Sequence, residues 1–348
     1  MASLRDHGLR IGELEPGPAG SIADVEGVRV GHVTIRRDEP VPPDGRGVAR
    51  TGVTAVVPGE GGGKLARPLR AGTAVLNGVG EMTRSLEIAE QGVIDTPIYL
   101  TATMAVGRVY DGAVSAAMAA DPAVGVDHVV IPVVAECDDS WLSDARDVQL
   151  EAADAGRAVA DASTDVAEGA VGGGAGMVCF DYKGGIGSSS RVAGGSVVGV
   201  LVMTNFGVRS QLRVDGVPVG RMLGEARESR SRPAGSCIVV VATDAPLSSA
   251  QLTRVARRAG LGLARTGSVA HDGSGEIFVA FSTAGETGDV PAPDLNAFFA
   301  ATVDATEEAV LNSLWRAERV VGREGRVCEA LPHERVLELL ALAGRLER

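Results

Sequence analysis

Apolar residues follow two rhythms along this chain. Short runs rich in valine and isoleucine fall at residues 27–35, 53–57, 73–76, 128–134, 177–180, 196–204, 237–243 and 276–281. Most are bounded by Gly, Pro, Asp or Asn, and their length and β-branched content predict strands. Apolar positions three and four apart predict helices over 81–91, 106–119, 143–162, 248–264, 294–321 and 332–346. In the stretch 143–162 the acidic residues read as an exposed face with small alanines opposite, and Pro332 suits a first helical turn. "SVVGVLVMT" and "CIVVVAT" are apolar almost throughout, so both strands are expected to be buried on both faces. Strands and helices are interspersed without strict βαβ alternation. The expectation is one α/β domain over residues 1–348, with helices covering packed sheets.

Segment 207–235 is the one long polar stretch. A "VDGVP" turn signal is followed by a run of charge, which predicts a hairpin and then a mobile linker ending at Ser236.

Composition narrows the function classes. With 45% apolar and 22% charged residues over 348 positions, the chain is globular, with length enough for a sizeable core. Aromatics are only 3%, which disfavours stacking platforms for bases or sugars. A net charge of -12 leaves no basic footprint for nucleic acid. The densest basic cluster, Arg227, Arg230 and Arg232, reads as a solvated loop. Cys137, Cys179, Cys237 and Cys328 are far apart and form no C-x-x-C pair, so buried free thiols and a cytoplasmic location are expected. The first residues lack the apolar region of a secretory signal, and no apolar run approaches a membrane span, so no membrane partner is expected.

Familiar chemistry fails on spacing. In "PGEGGGKLAR", Pro58 stands where the first P-loop glycine belongs and Leu65 replaces Ser/Thr. "NGVGEM" and "GGGAGM" lack the third glycine of a dinucleotide fingerprint. His7, His32, His128, His271 and His333 make no H-E-x-x-H and no close pair, and no G-x-S-x-G elbow exists. Neither a cofactor nor a metal is therefore expected, and a hydrolase here must activate its nucleophile without a neighbouring histidine.

The stretch "RSRPAGSCIVVVATDAPL" offers a way. If the bond between Gly235 and Ser236 is cut, the new α-amine lies beside the serine hydroxyl. An α-amine has a pKa of about 7.7–8, so a useful fraction is neutral base near pH 7, and amine-assisted hydroxyl catalysis is an established solution. Such a site needs an exposed connection before the cut and a rigid strand after it. Glycine before the nucleophile tolerates strained geometry and leaves its carbonyl open to attack. A turn followed by an ordinary strand-initiating serine is the plain alternative. Cys237 is a competing nucleophile, but the strand period of two turns it to the face opposite Ser236.

"GSCIVVVATDAPL" resembles the start of the β-chain in the DmpA-type aminopeptidases, the L-aminopeptidase/D-Ala-esterase/amidases and β-peptidyl aminopeptidases. "IADVEGVRVGHVTI", "RTGVTAVVP", "LNGVGEMT", "DTPIYLTATMAVGRVYDGAV", "EGAVGGGAGMVCFDYKGGIGSSSR", "VVGVLVMTNFG" and "GSGEIFVAFSTA" resemble further family segments, in the family's order. The resemblance implies a four-layer αββα sandwich of the type shared with ornithine acetyltransferases, and an N-terminal-nucleophile hydrolase that processes itself. It also implies self-cleavage into 1–235 and 236–348, and assembly as a homo-oligomer, a tetramer on the family pattern. The implied reaction removes N-terminal residues from small peptides, amides or esters that carry a free amine.

Site residues follow from the same resemblance. Ser236 falls on the family's nucleophile and new N-terminus. Ser274 and Glu276 of "GSGE" resemble its two supporting catalytic residues; two apart on a strand, they share one face, where the carboxylate can hold the α-amine and the serine can orient a proton. Asn205 resembles the oxyanion-hole asparagine. Glu136 resembles the acid that captures the substrate ammonium. Asp138 departs from the pattern of members that have tyrosine there, since a carboxylate cannot donate to an oxyanion unless protonated. Either Asn205 and backbone N–H groups suffice, or Asp138 serves the substrate amine beside Glu136. Amidase or esterase activity on D- or β-amino acid derivatives, acyl transfer to an amine, and a non-catalytic unprocessed scaffold are the competing readings.

Overall fold

The structure, a computed structural model, describes residues 3–59, 62–224, 235–284 and 290–346. The first apolar runs form β1 (Val28–Arg37), β2 (Ala49–Pro58) and β3 (Leu69–Gly78), then α1 (Ser85–Gln91) and the short β4 (Val93–Ile94). Next come β5 (Ile98–Ala102), α2 (Val106–Ala120), β6 (Val133–Cys137) and α3 (Ala153–Ala160). A small hairpin of β7 (Val178–Cys179) and β8 (Tyr182–Lys183) leads into β9 (Ile186–Ala193), β10 (Ser196–Asn205) and the single turn α4 (Val219–Met222). The rest comprises β11 (Gly235–Thr243), α5 (Ser249–Ala256), α6 (Ala259–Arg265), β12 (Ser274–Ser282) and α7 (Ala292–Trp315). The short β13 (Val320–Val321) and β14 (Val327–Cys328) precede α8 (His333–Leu342).

Two sheets position the site. One has the order β1-β2-β5-β6, the other β4-β3-β12-β11-β10-β9. Within them β5 runs parallel to β6 and β11 parallel to β12, and the other pairs are antiparallel. The strand period of two sorts side chains into layers. Val30, Val56, Leu100 and Ala135 of the first sheet meet Leu201, Ile238, Val240 and Val279 of the second in one core. On the outer face of the first sheet, Val53, Ala55, Tyr99 and Val134 pack on Val109 and Ala113 of α2 and Ala155 and Ala158 of α3. On the outer face of the second, Val200, Val202, Val239, Val241 and Phe278 pack on Leu252 and Val255 of α5 and Ala301, Ala305 and Ala309 of α7. Helices, sheet, sheet and helices are thus stacked in the αββα order. Burying a Val or Ile side chain is worth ~1.5–3 kcal/mol. Residues 237–242, buried throughout, therefore anchor the head of β11 independently of the chain that precedes it.

Several sequence expectations change. Pairing of the 128–134 run with β5 begins only at Val133, because Pro132 has no N–H for a ladder, and Val129 and Ile131 are exposed. The helix expected over 143–162 forms only as α3. Asp144 and Asp154 are buried rather than exposed: Asp144 accepts from Arg146, and Asp154 accepts from Glu151 N and Arg157. Such local acceptors compete with helix continuation. The 248–264 helix breaks into α5, whose Ser248 forms a capping box with Gln251, and α6. Helix α7 stops at Trp315, and Pro332 is the cap before α8 rather than part of its first turn. Strands β5 and β9 are not among the expected runs: β5 carries only the short apolar run Ile98–Leu100, and β9 is largely polar. In β9 the polar run Ser188, Ser189 and Ser190 is buried, with hydroxyls on Val200 O, Glu308 and Asp24.

The "VDGVP" hairpin forms. Val214 and Val217 exchange backbone hydrogen bonds around Asp215 and Gly216, whose φ values of 47° and 76° fit a tight hairpin turn. The linker expectation over 225–234, with Arg227, Arg230 and Arg232, lies outside the described residues.

Candidate active site

Ser236 is the second residue of β11, flanked in register by Asn205 on β10 and Gly275 on β12. It is 6% exposed. Its phase is that of Ile238 and Val240, which face the other sheet, whereas Cys237 shares the helix-side core with Val239. Burial pushes the Cys237 thiol well up from its ordinary range, so it is held as an inert thiol on the wrong face. The Ser236 hydroxyl accepts a hydrogen bond from Gly275 N at 3.3 Å.

Ser274 and Glu276 come from the incoming end of β12. The Ser274 hydroxyl donates to Glu276 Oε1, as their shared face requires. Glu276 is fully buried, and its Oε2 has no hydrogen-bond partner among the described residues. Burial pushes its carboxyl up from the usual range, and the Ser274 bond offsets this only in part. An unmet buried acceptor costs roughly 1–3 kcal/mol, so Glu276 is open to a donor beyond those it meets among the described residues. In register it lies opposite Cys237, one step from Ser236. No hydrogen bond joins its carboxylate to the Ser236 hydroxyl among the described residues.

Asn205 closes β10 and is 1% exposed. Its Oδ1 accepts from Val178 N at 2.9 Å and its Nδ2 donates to Asp138 O at 2.8 Å, which fixes the orientation of the carboxamide. Glu136, on β6 and 4% exposed, accepts from Glu81 N at 3.0 Å and from the Thr103 hydroxyl. Burial raises its pKa; the Thr103 and Glu81 N–H bonds pull it down, and the carboxylates of Asp138 and Glu81 push it up again. Although β6 belongs to the other sheet, Glu136 reaches the surroundings of Ser236. A Cβ on Gly80 would lie 3.0 Å from Glu136 Oε1 and 3.5 Å from the Cα of Gly275, the residue paired with Ser236. A glycine at position 80 keeps that gap open.

Asp138 is exposed, and its carboxylate accepts from Ser140 N and the Ser140 hydroxyl, both at 2.9 Å. Its main-chain carbonyl, rather than its side chain, is what touches Asn205. Sequence reasoning overlooked Thr103 and the Glu81 N–H, which hold Glu136, and Gly80 and Gly275, which make room; "LNGVGEMT" and "GSGE" carry the glycines but not their meeting. Among the described residues no group of three or more His, Cys, Asp or Glu side chains is placed to hold a metal ion, and no helix is long and apolar enough to cross a membrane.

Comparison with known proteins adds relatives at full length. The sequence model of peptidase family S58 matches residues 20–328. A β-peptidyl aminopeptidase of Sphingosinicella microcystinivorans is 41% identical over 363 residues, covering 95% of this chain and 90% of that protein. Among solved structures, a Burkholderia β-aminopeptidase is 41% identical with a TM-score of 0.89 over 99% of each chain. The L-aminopeptidase D-Ala-esterase/amidase of Ochrobactrum anthropi is described as a prototype serine aminopeptidase with a variant of the Ntn hydrolase fold. It is 36% identical with a TM-score of 0.91 over 100% of each chain.

Proposed function

The chain belongs to peptidase family S58, and from that premise we propose that it is a serine aminopeptidase that cuts itself between Gly235 and Ser236. The observation that carries the reading is the place of Ser236. It is the second residue of a buried strand, between Asn205 and Gly275, and Gly235 opens that strand buried rather than on an exposed connection. In maturation its hydroxyl attacks the Gly235 carbonyl, the C–N bond to Ser236 breaks, and the acyl group passes to oxygen as an ester. Water hydrolyses that ester and leaves chains 1–235 and 236–348, the second with a free α-amine.

In turnover that amine is the base. It takes the hydroxyl proton as Ser236 Oγ attacks the substrate carbonyl, and then gives the proton to the departing amine. Glu276, supported by Ser274, holds the amine while it is charged. Asn205 Nδ2 and main-chain N–H groups steady the oxyanion. Water then releases the acyl group and regenerates the hydroxyl.

Glu136 pairs the substrate's free ammonium in this reading, so the enzyme works from the N-terminus of small peptides, amides or esters. The names of the relatives favour β-amino acyl substrates among these. Asp138, tied to Ser140, adds negative charge beside the same amine. Assembly as a homo-oligomer, a tetramer on the family pattern, is part of the reading and is checked by sedimentation equilibrium.

Intact-mass measurement tests the whole proposal: two species should appear, ending at Gly235 and beginning at Ser236. A fully active, full-length species would sink it, and an inactive full-length species would favour the scaffold reading. The role of Glu136 has its own check. N-acetylated peptides should be turned over very poorly, and Glu136→Gln should weaken kcat/KM about 10–100-fold, since a charge-assisted pair is lost. Equal rates on blocked and free peptides would remove Glu136 from the site.

A further inference from the structure

Lys183 is a buried ammonium that the reaction as written above does not use. It lies on β8 with no exposed surface. Its Nζ donates to Gly174 O at 3.0 Å, Met177 O at 2.7 Å and Gly184 O at 2.7 Å. Three carbonyls take three N–H groups, and only the charged form has three to give. Burial lowers its pKa to about 8, which leaves the charge in place at pH 7.

The partner that matters is Met177 O. The Met177 carbonyl and the Val178 N–H are two ends of one peptide group, and Val178 N donates to Asn205 Oδ1. An unbroken chain results: Lys183 Nζ–H to the Met177 carbonyl, through the peptide to Val178 N–H, then to Asn205 Oδ1 and through the carboxamide to Nδ2. A cation on a carbonyl oxygen draws electron density from the attached nitrogen and makes its N–H a stronger donor. Each bond in such a chain strengthens the next. The far end of the chain lies beside Ser236, because Asn205 and Ser236 are register partners.

We infer that Lys183 is a positioning residue that fixes and polarises the Asn205 carboxamide through the Met177–Val178 peptide. This rests on the reading of Asn205 as an oxyanion donor. A stronger, fixed donor favours a full negative charge over a neutral carbonyl, so its effect falls on the transition state more than on substrate binding. Lys183 thus acts on kcat without touching substrate.

The test uses Lys183→Met and Lys183→Gln, each alone and combined with Asn205→Ala, with cleavage followed by mass and folding by thermal melting. On the parent background kcat should fall about tenfold with KM within about threefold. On the Asn205→Ala background the same change should cost less than about threefold, because the two residues act as one chain. Equal losses on both backgrounds, a loss confined to KM, or a kcat within about twofold of the parent would overturn the inference. If neither variant folds, the charge serves the fold rather than the reaction, and the inference also falls. An Asn205→Ala enzyme as fast as the parent would instead overturn the oxyanion reading beneath it.

Discussion

Ser236→Ala should stay at full length and lose turnover on the order of 10⁶-fold, because in the proposed mechanism one hydroxyl performs both reactions. The strand itself should survive the change. Residue 236 joins β10 and β12 through its backbone, and the only described side-chain bond lost is the 3.3 Å contact from Gly275 N. The lost side-chain bond should therefore cost no more than the ~0.5–1.5 kcal/mol of one hydrogen bond, apart from any effect of leaving the chain uncut. Cys237 should not rescue the variant, since it faces the helix-side core and its thiol is held protonated by burial. Ser236→Cys keeps a nucleophile in place and is expected to retain some self-cleavage with impaired turnover. Ser236→Thr adds a methyl that restricts χ1 and should process slowly. The measurement is intact mass together with hydrolysis of a panel of L-, D- and β-amino acid anilides. A Ser236→Ala protein that still splits after Gly235 and hydrolyses peptides would refute the proposed nucleophile.

Glu276→Gln should lower turnover about 10²–10⁴-fold, the range for a displaced proton-handling group. In the proposed mechanism it removes the carboxylate that holds the protonated α-amine, while keeping an acceptor for the Ser274 hydroxyl. The same residue also sets a pH dependence in the uncut protein. Burial raises the Glu276 pKa above its ordinary value. The neutral acid therefore favours the folded state: that contribution is complete below the ordinary carboxyl range and is lost as pH rises through the raised pKa. Urea melts of uncut Ser236→Ala protein should show stability falling over that window. Glu136 shifts in the same direction, as do Asp139, Glu168 and Glu307, each raised to about 7, so the informative quantity is the difference made by Glu276→Gln. That substitution should flatten part of the slope. Cleavage should do so as well, because the new ammonium gives the buried carboxylate a partner. Identical pH slopes with Glu and Gln at 276 would mean that the buried carboxyl is not strained in the uncut chain.

Much of this was written in local pattern. The run from Ile238 to Ala242 has the length and β-branched content of a strand buried on both faces, and it forms one. Period two separates Ser236 from Cys237 and puts Ser274 beside Glu276, with no knowledge of the fold. Misreadings arose where a polar side chain is satisfied inside the protein, by distant or by local partners. No strand is expected over the Ser188–Ser189–Ser190 run, because nothing near it in sequence announces Val200 O, Glu308 and Asp24. Asp144 and Asp154 look like a solvent face because their partners are turn N–H groups and arginines, which periodicity does not count.

The sequence by itself determined which segments must be buried, which face each strand residue takes, and where a glycine-serine joint meets a buried strand. Those properties are local, set by hydrophobicity and by the backbone's period of two. Only the tertiary structure decided which strands are neighbours. It placed β12 parallel to β11, so that Gly275 lies against Ser236 with Ser274 and Glu276 on either side. By stacking a second sheet on the first it brought Glu136 and the gap at Gly80 to the surroundings of Ser236. It also set the Lys183 ammonium behind the peptide that holds Asn205. Such meetings depend on how whole sheets pack and on which buried polar groups can satisfy one another across them; Ser236 and Gly275, Glu136 and Gly275, and Val178 and Asn205 are each too far apart in the chain for a local pattern to pair them.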